Sequence, residues 1–133
     1  MHRDLKSANI FLTDENIVKV GDLNVSKLAG KDGLNYTQAG TPYFASPEVW
    51  KDKPYGFKSD IWSLGCIAYE MTALHLPFQA KDMGTLYKKV TRGEYKPLPM
   101  QYSVDLRGVI SSMLTVRPND RASLKSILAV SII

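Results

Sequence analysis

The pattern of apolar residues changes several times along this chain of 133 residues. Near the start, Ile10-Phe11-Leu12 and Ile17-Val18-Lys19-Val20 flank the polar stretch Thr13 to Asn16, a pattern that predicts a short hairpin. Residues 22–57 combine Gly, Pro, Asn and Tyr without a period, which predicts a long ordered loop; such loops in compact domains usually serve a function. From Ser59 to Met71 the residues Ile61, Trp62, Leu64, Cys66, Ile67, Ala68, Tyr69 and Met71 are apolar on all sides, as in a buried helix. Met83, Leu86, Tyr87 and Val90 predict a shorter surface helix, with Lys88, Lys89 and Arg92 on its solvated face. Leu106, Val109, Ile110, Met113 and Leu114 step by three and four behind Ser103, which can cap the start. Leu124, Ile127 and Leu128 repeat that pattern near the end. The fold class expected is mainly α with a small β-hairpin.

Composition narrows the function classes. The hydrophobic share of 44% and charged share of 23% are ordinary for a globular domain. The net charge of +4 is spread along the chain and forms no dense basic stripe, so no nucleic-acid partner is expected. One cysteine, Cys66, excludes an internal disulfide and a Cys-rich zinc site; it reads as a buried small apolar residue. No apolar run reaches the length of a membrane span, and no signal-peptide pattern follows Met1. No membrane insertion is expected, and an intracellular, cytoplasmic protein is.

The candidate chemistry begins with His2-Arg3-Asp4-Leu5-Lys6-Ser7-Ala8-Asn9. An aspartate and an asparagine at this spacing fit the H-R-D-L-x-x-x-N catalytic loop of protein kinases, in which the aspartate takes the proton of the attacking hydroxyl. Gly21-Asp22-Leu23-Asn24 follows the predicted hairpin where that family carries Asp-Phe-Gly. Leu23 replaces the aromatic residue with another apolar plug, and Asn24 replaces glycine with a residue that tolerates positive φ. Further along stand Gly40-Thr41-Pro42-Tyr43-Phe44-Ala45-Ser46-Pro47-Glu48, Ser59-Asp60-Ile61-Trp62-Ser63-Leu64-Gly65, and Arg117-Pro118 followed by Arg121. A single short motif is weak evidence, but five in family order over nearly the whole chain are specific.

The chain therefore resembles the C-terminal lobe of a eukaryotic protein kinase catalytic domain. Within that family it is most similar to the NimA-related (Nek) serine/threonine kinases, through Leu5 to Leu12, Gly40 to Phe44 and Lys58 to Cys66. The resemblance implies a catalytic loop at 2–9, an activation segment at 22–48 and a helical lobe at 59–130. It also implies ATP and Mg2+ as cofactors, with Asp4 as base and Lys6 neutralising charge on the transferring phosphoryl group. Asn9 and Asp22 would be the metal ligands. Thr41 would bond Asp4 and Lys6, Asp60 would hold the catalytic-loop backbone, and Glu48 would pair with Arg121 to pin the activation segment. Thr37, three residues before the Gly-Thr-Pro-Tyr run, matches the activation-loop phosphosite, and its phosphate would meet Arg3.

His2 reads as a packing residue of the loop, and His75 receives no role. The implied partners are protein substrates bearing Ser or Thr, with an upstream kinase or self-phosphorylation at Thr37. Cytoskeletal or ciliary association follows from the subfamily alone. The sequence contains no G-x-G-x-x-G phosphate loop, no strand lysine paired with a helix glutamate and no adenine hinge. The expectation is thus a kinase domain without its N-terminal lobe, inactive by itself, with Met1 compatible with an internal position. The alternative is a catalytically silent lobe that binds proteins through residues 40–48 and the 83–92 helix.

Overall fold

A computed structural model describes residues 1–21 and 42–130. The expected Asp22, Leu23, Asn24, Thr37 and Thr41 assignments lie outside the described residues.

The first element is a single 3-10 turn, Ser7–Asn9, which runs directly into strand β1 (Ile10–Leu12). Strand β2 (Val18–Val20) pairs with it antiparallel, with Ile10 opposite Val20, Phe11 opposite Lys19 and Leu12 opposite Val18. Thr13 closes the turn, since its carbonyl accepts from Asn16 N–H (2.9 Å) and its hydroxyl from Ile17 N–H (3.1 Å). Asn16 takes the left-handed conformation (φ 60°), which asparagine adopts at small cost. Ile17 thus belongs to the turn and not to the strand.

Five helices follow among the described residues: α1 (Pro47–Trp50), α2 (Phe57–Ala73), α3 (Met83–Arg92), α4 (Val104–Met113) and α5 (Leu124–Leu128). The sequence pattern missed α1, a single turn inside the aperiodic stretch, opened by Pro47 at a position where its missing N–H is no loss. Helix α2 is the axis of the core. Ile61, Trp62, Cys66, Ile67 and Tyr69 are buried on it, whereas Met71 is exposed, because the helix emerges into solvent in its last turn. The ring of Trp62 stacks on Phe78 (centroids 5.2 Å, planes 9° apart), and Tyr95 meets both Phe78 and Tyr69 edge-on at 5.6 Å. Gly65 lets α4 approach: a Cβ there would lie 2.8 Å from Met113 Cβ and 3.0 Å from Leu114 Cδ2.

Three of the five described helix starts, those of α3, α4 and α5, carry a side-chain cap. Asp82 accepts from Thr85 N–H, Ser103 from Leu106 N–H, and Ser123 and Ser126 form a reciprocal capping box. Helix α3 buries Leu86 and Val90 and ends at Gly93, whose φ of 68° suits glycine. Of the apolar residues of α5 only Ile127 is buried, since Leu124 and Leu128 face outward. No described helix is long and apolar enough to cross a membrane.

Candidate active site

The hairpin and α2 fix the loop between residues 2 and 9 from both ends. Asp60, in the first turn of α2, accepts from the backbone N–H of His2 (2.9 Å) and of Arg3 (3.0 Å). Arg3 itself has φ 73°, a strained conformation for a non-glycine residue that persists only where the surroundings enforce it. The two bonds to Asp60 supply that constraint. The guanidinium of Arg3 lies 5.7 Å above the ring of Tyr55. His2 accepts from Asp4 N–H at Nδ1 (3.3 Å), so its Nε2 carries the proton and donates to Gly21 O (3.2 Å). His2 is therefore a hydrogen-bonded brace between the loop and the end of the hairpin, more than the packing residue expected of it.

Asp4, Lys6 and Asn9 converge. The Lys6 ammonium lies 2.9 Å from Asp4 Oδ2. The Asn9 amide nitrogen donates to Asp4 O (2.8 Å) and to Asp4 Oδ2 (3.3 Å). Asn9 is buried, and its backbone is tied at both ends, its N–H to Lys6 O and its carbonyl to Gly21 N–H, each at 2.9 Å. Both donors of the Asn9 amide nitrogen are thereby directed at Asp4, which turns its oxygen the other way. Among the described residues, neither Asn9 Oδ1 nor Asp4 Oδ1 has a hydrogen-bond partner. The site thus presents one hard oxygen donor and one carboxylate oxygen that have no partner among the described residues.

A second cluster lies inside the helical region. Glu48, on α1, and Arg121 are 6% and 2% exposed and pair bidentately, Nη1 to Oε1 at 2.7 Å and Nη2 to Oε2 at 2.9 Å. The remaining donors of Arg121 reach the carbonyls of Thr115 (2.8 Å), Lys58 (2.6 Å) and Val116 (3.0 Å), so all its N–H groups are satisfied. Its guanidinium carbon sits 5.1 Å from the Trp62 ring centre. Ser59 donates to Glu48 Oε1 (2.6 Å), and Lys58 donates to the carbonyls of Arg121 and Ala122. Burial pushes the Glu48 carboxyl up, but hydrogen bonds from Arg121 and Ser59 and the nearby positive charge outweigh it and hold it below its usual range. Ser59 and Lys58 stand in the quoted motifs, but no local period marks their contacts, which cross to another element.

Cys66 is fully buried, and burial pushes its thiol far up, out of the reactive range. His75 meets the edge of Tyr69 at 5.6 Å. Lys89, expected on a solvated face, instead donates from Nζ to Gln79 O (2.7 Å) and ties α3 to the segment before it.

The described residues thus form a helical core that carries this loop on a two-stranded antiparallel hairpin. The family model of the protein kinase domain matches residues 1–133, and the chain belongs to that family. Its similarity is to the NimA-related branch. It is 47% identical to the serine/threonine-protein kinase Nek4 of Mus musculus over 129 residues, covering 96% of this chain and 16% of that protein. It is 47% identical over 128 residues to Nek3 of Oryza sativa subsp. japonica, covering 96% of the chain and 22% of the relative. Nek3 of Mus musculus is 45% identical over 129 residues, at 96% and 25% coverage. The chain thus spans a quarter or less of the length of these relatives.

Proposed function

We propose that the protein carrying this chain is a serine/threonine kinase that moves the γ-phosphoryl group of ATP to a Ser or Thr hydroxyl of a protein substrate. The convergence of Asp4, Lys6 and Asn9 carries this reading. Asp4 Oδ2 is engaged by Lys6 and Asn9, which leaves Oδ1 to accept the proton of the incoming hydroxyl. Lys6, held 2.9 Å from that carboxylate, stands ready to offset negative charge that builds on the transferring group. Magnesium, when bound with ATP, neutralises phosphate charge. The oxygen of Asn9 fits as one of its ligands, because the amide is oriented by its own bonds to Asp4 and presents a hard donor. Asp22 is proposed as the second ligand. Thr37 is the proposed phosphosite, with Arg3 as its cationic partner. The alternative reading, a silent protein-binding lobe, gives no physical use to an oriented Asn9 and an ion-paired Asp4.

The test uses the full-length protein with radiolabelled ATP and a Ser/Thr peptide mixture. The wild type should label the peptides, and Asp4→Asn should lower kcat by about 10²–10⁴-fold with little change in ATP affinity. Equal labelling by the wild type and Asp4→Asn would overturn the assignment. A folded wild type that never labels any peptide would transfer the case to the binding lobe.

A further inference from the structure

Between α3 and residue 43 lies an open cavity of about 720 Å³, within the ~300–1,000 Å³ usual for ligand sites. It is separate from the Asp4, Lys6 and Asn9 cluster, and none of those residues lines it. Its lining combines the apolar or aromatic Tyr43, Leu76 and Ala80 with the charged Lys81, Asp82 and Lys89.

The charges in that lining are unequal in what they can still bind. Both Asp82 oxygens are engaged by α3 itself, Oδ1 by Thr85 N–H and Oδ2 by the Thr85 hydroxyl, each at 2.8 Å. Its carboxylate is therefore turned onto the helix start. Lys89 spends one donor on Gln79 O and keeps two more. Lys81 is exposed and forms no ion pair among the described residues. The cavity thus offers two lysines against one carboxylate, which already accepts two bonds from Thr85, in a lining that also holds Tyr43, Leu76 and Ala80.

The geometry points to this cavity as a docking site for an acidic segment of the protein substrate, with an Asp or Glu side chain against Lys81 and Lys89 and an adjacent apolar side chain against Leu76, Ala80 and Tyr43. Charge complementarity selects this occupant over a basic peptide, which would meet two ammonium groups and one carboxylate already drawn to the start of α3. The identity of the peptide as a substrate rests on the kinase reading above, whereas the binding preference does not.

The experiment is fluorescence anisotropy on the full-length protein with labelled serine peptides. One set carries an Asp-Leu pair stepped along the peptide, and a matched set carries Gln-Leu. At one or more positions the Asp peptide should bind about fivefold tighter than its Gln counterpart, the size of a partly screened ion pair. Added salt should erode the difference. Lys81→Glu lies on an exposed side chain outside the core and should abolish the preference. A Lys-Leu peptide at the same position should then bind that variant better than it binds the wild type. Equal binding of Asp and Gln peptides at every position, or a preference that survives Lys81→Glu, would overturn the proposal. Phosphotransfer to a peptide lacking the acidic pair reports separately on the kinase reading, so failure of one is distinguishable from failure of the other.

Discussion

At the scale of single residues, the Glu48–Arg121 pair is the contact most costly to break by half. Removing one partner of a buried ion pair leaves an uncompensated charge, at a cost of about 3–5 kcal/mol. Arg121→Ala should therefore unfold at much lower urea, and Arg121→Lys should rescue little, because an ammonium cannot make a two-pronged contact and also reach three carbonyls. A urea midpoint for the lysine variant equal to wild type would contradict this. The pair also sets a pH dependence. The folded Glu48 carboxyl is held below its ordinary value of 4.5, so its stabilisation is fully present above that value. It is lost as pH falls through the lower folded pKa. Glu48→Gln should be less stable than wild type at neutral pH, and the gap should narrow under acid. Ser46 is the opposite case. It is 1% exposed, its hydroxyl has no partner among the described residues, and it makes no cap to α1. Ser46→Ala should be neutral or stabilising by ~1 kcal/mol, since a buried unpaired hydroxyl is removed.

At the scale of elements, the contact between α2 and α4 depends on Gly65. Alanine there would gain ~0.5–1 kcal/mol of helix propensity. It would also place a methyl 2.8 Å from Met113 Cβ, an atom fixed to its own backbone, and overpacking of that kind costs about 1–3 kcal/mol. The second effect is larger, so Gly65→Ala should lower the denaturation midpoint, and a rise would show that α4 can shift aside. What the sequence made legible follows the same logic. The α3 and α4 patterns read correctly because burial on one helix face is periodic, α2 because its residues are apolar nearly all round, and Ser103 announced its cap by residue type. The exposed faces of α5 and the end of α2 were misjudged because period alone does not say where a helix leaves the core. Single-turn α1 is too short to carry a period. The catalytic-loop residues were legible as a motif, whereas the brace through His2 and the Ser59 contact are tertiary.

At the scale of the whole molecule, stability is unevenly distributed, and that bears on how the site works. The core around Trp62, Tyr69 and Phe78 is fully enclosed. The hairpin is not: Phe11, Leu12, Val18 and Val20 are exposed, and a two-stranded ribbon is marginal by itself. Asn9 stands at the junction, so the orientation of its amide depends on a hairpin that has little packing of its own among the described residues. The anchor from the helical side is Asp60, through the amides of His2 and Arg3. Native-state hydrogen exchange should therefore separate two classes. Amides of Cys66, Ile67 and Tyr69 should exchange only through global unfolding, while those of the hairpin should exchange through local opening at lower free energy. Asp60→Ala should widen that difference, releasing the amides of His2 and Arg3 and lowering hairpin protection about tenfold or more, as loss of hydrogen bonds to a charged group implies. The α2 amides should move less. If Asp60→Ala lowered protection of α2 and the hairpin by the same factor, loop and core would be one cooperative unit. Unequal losses would make Asp60 the joint through which a rigid helical base holds a softer catalytic loop in register.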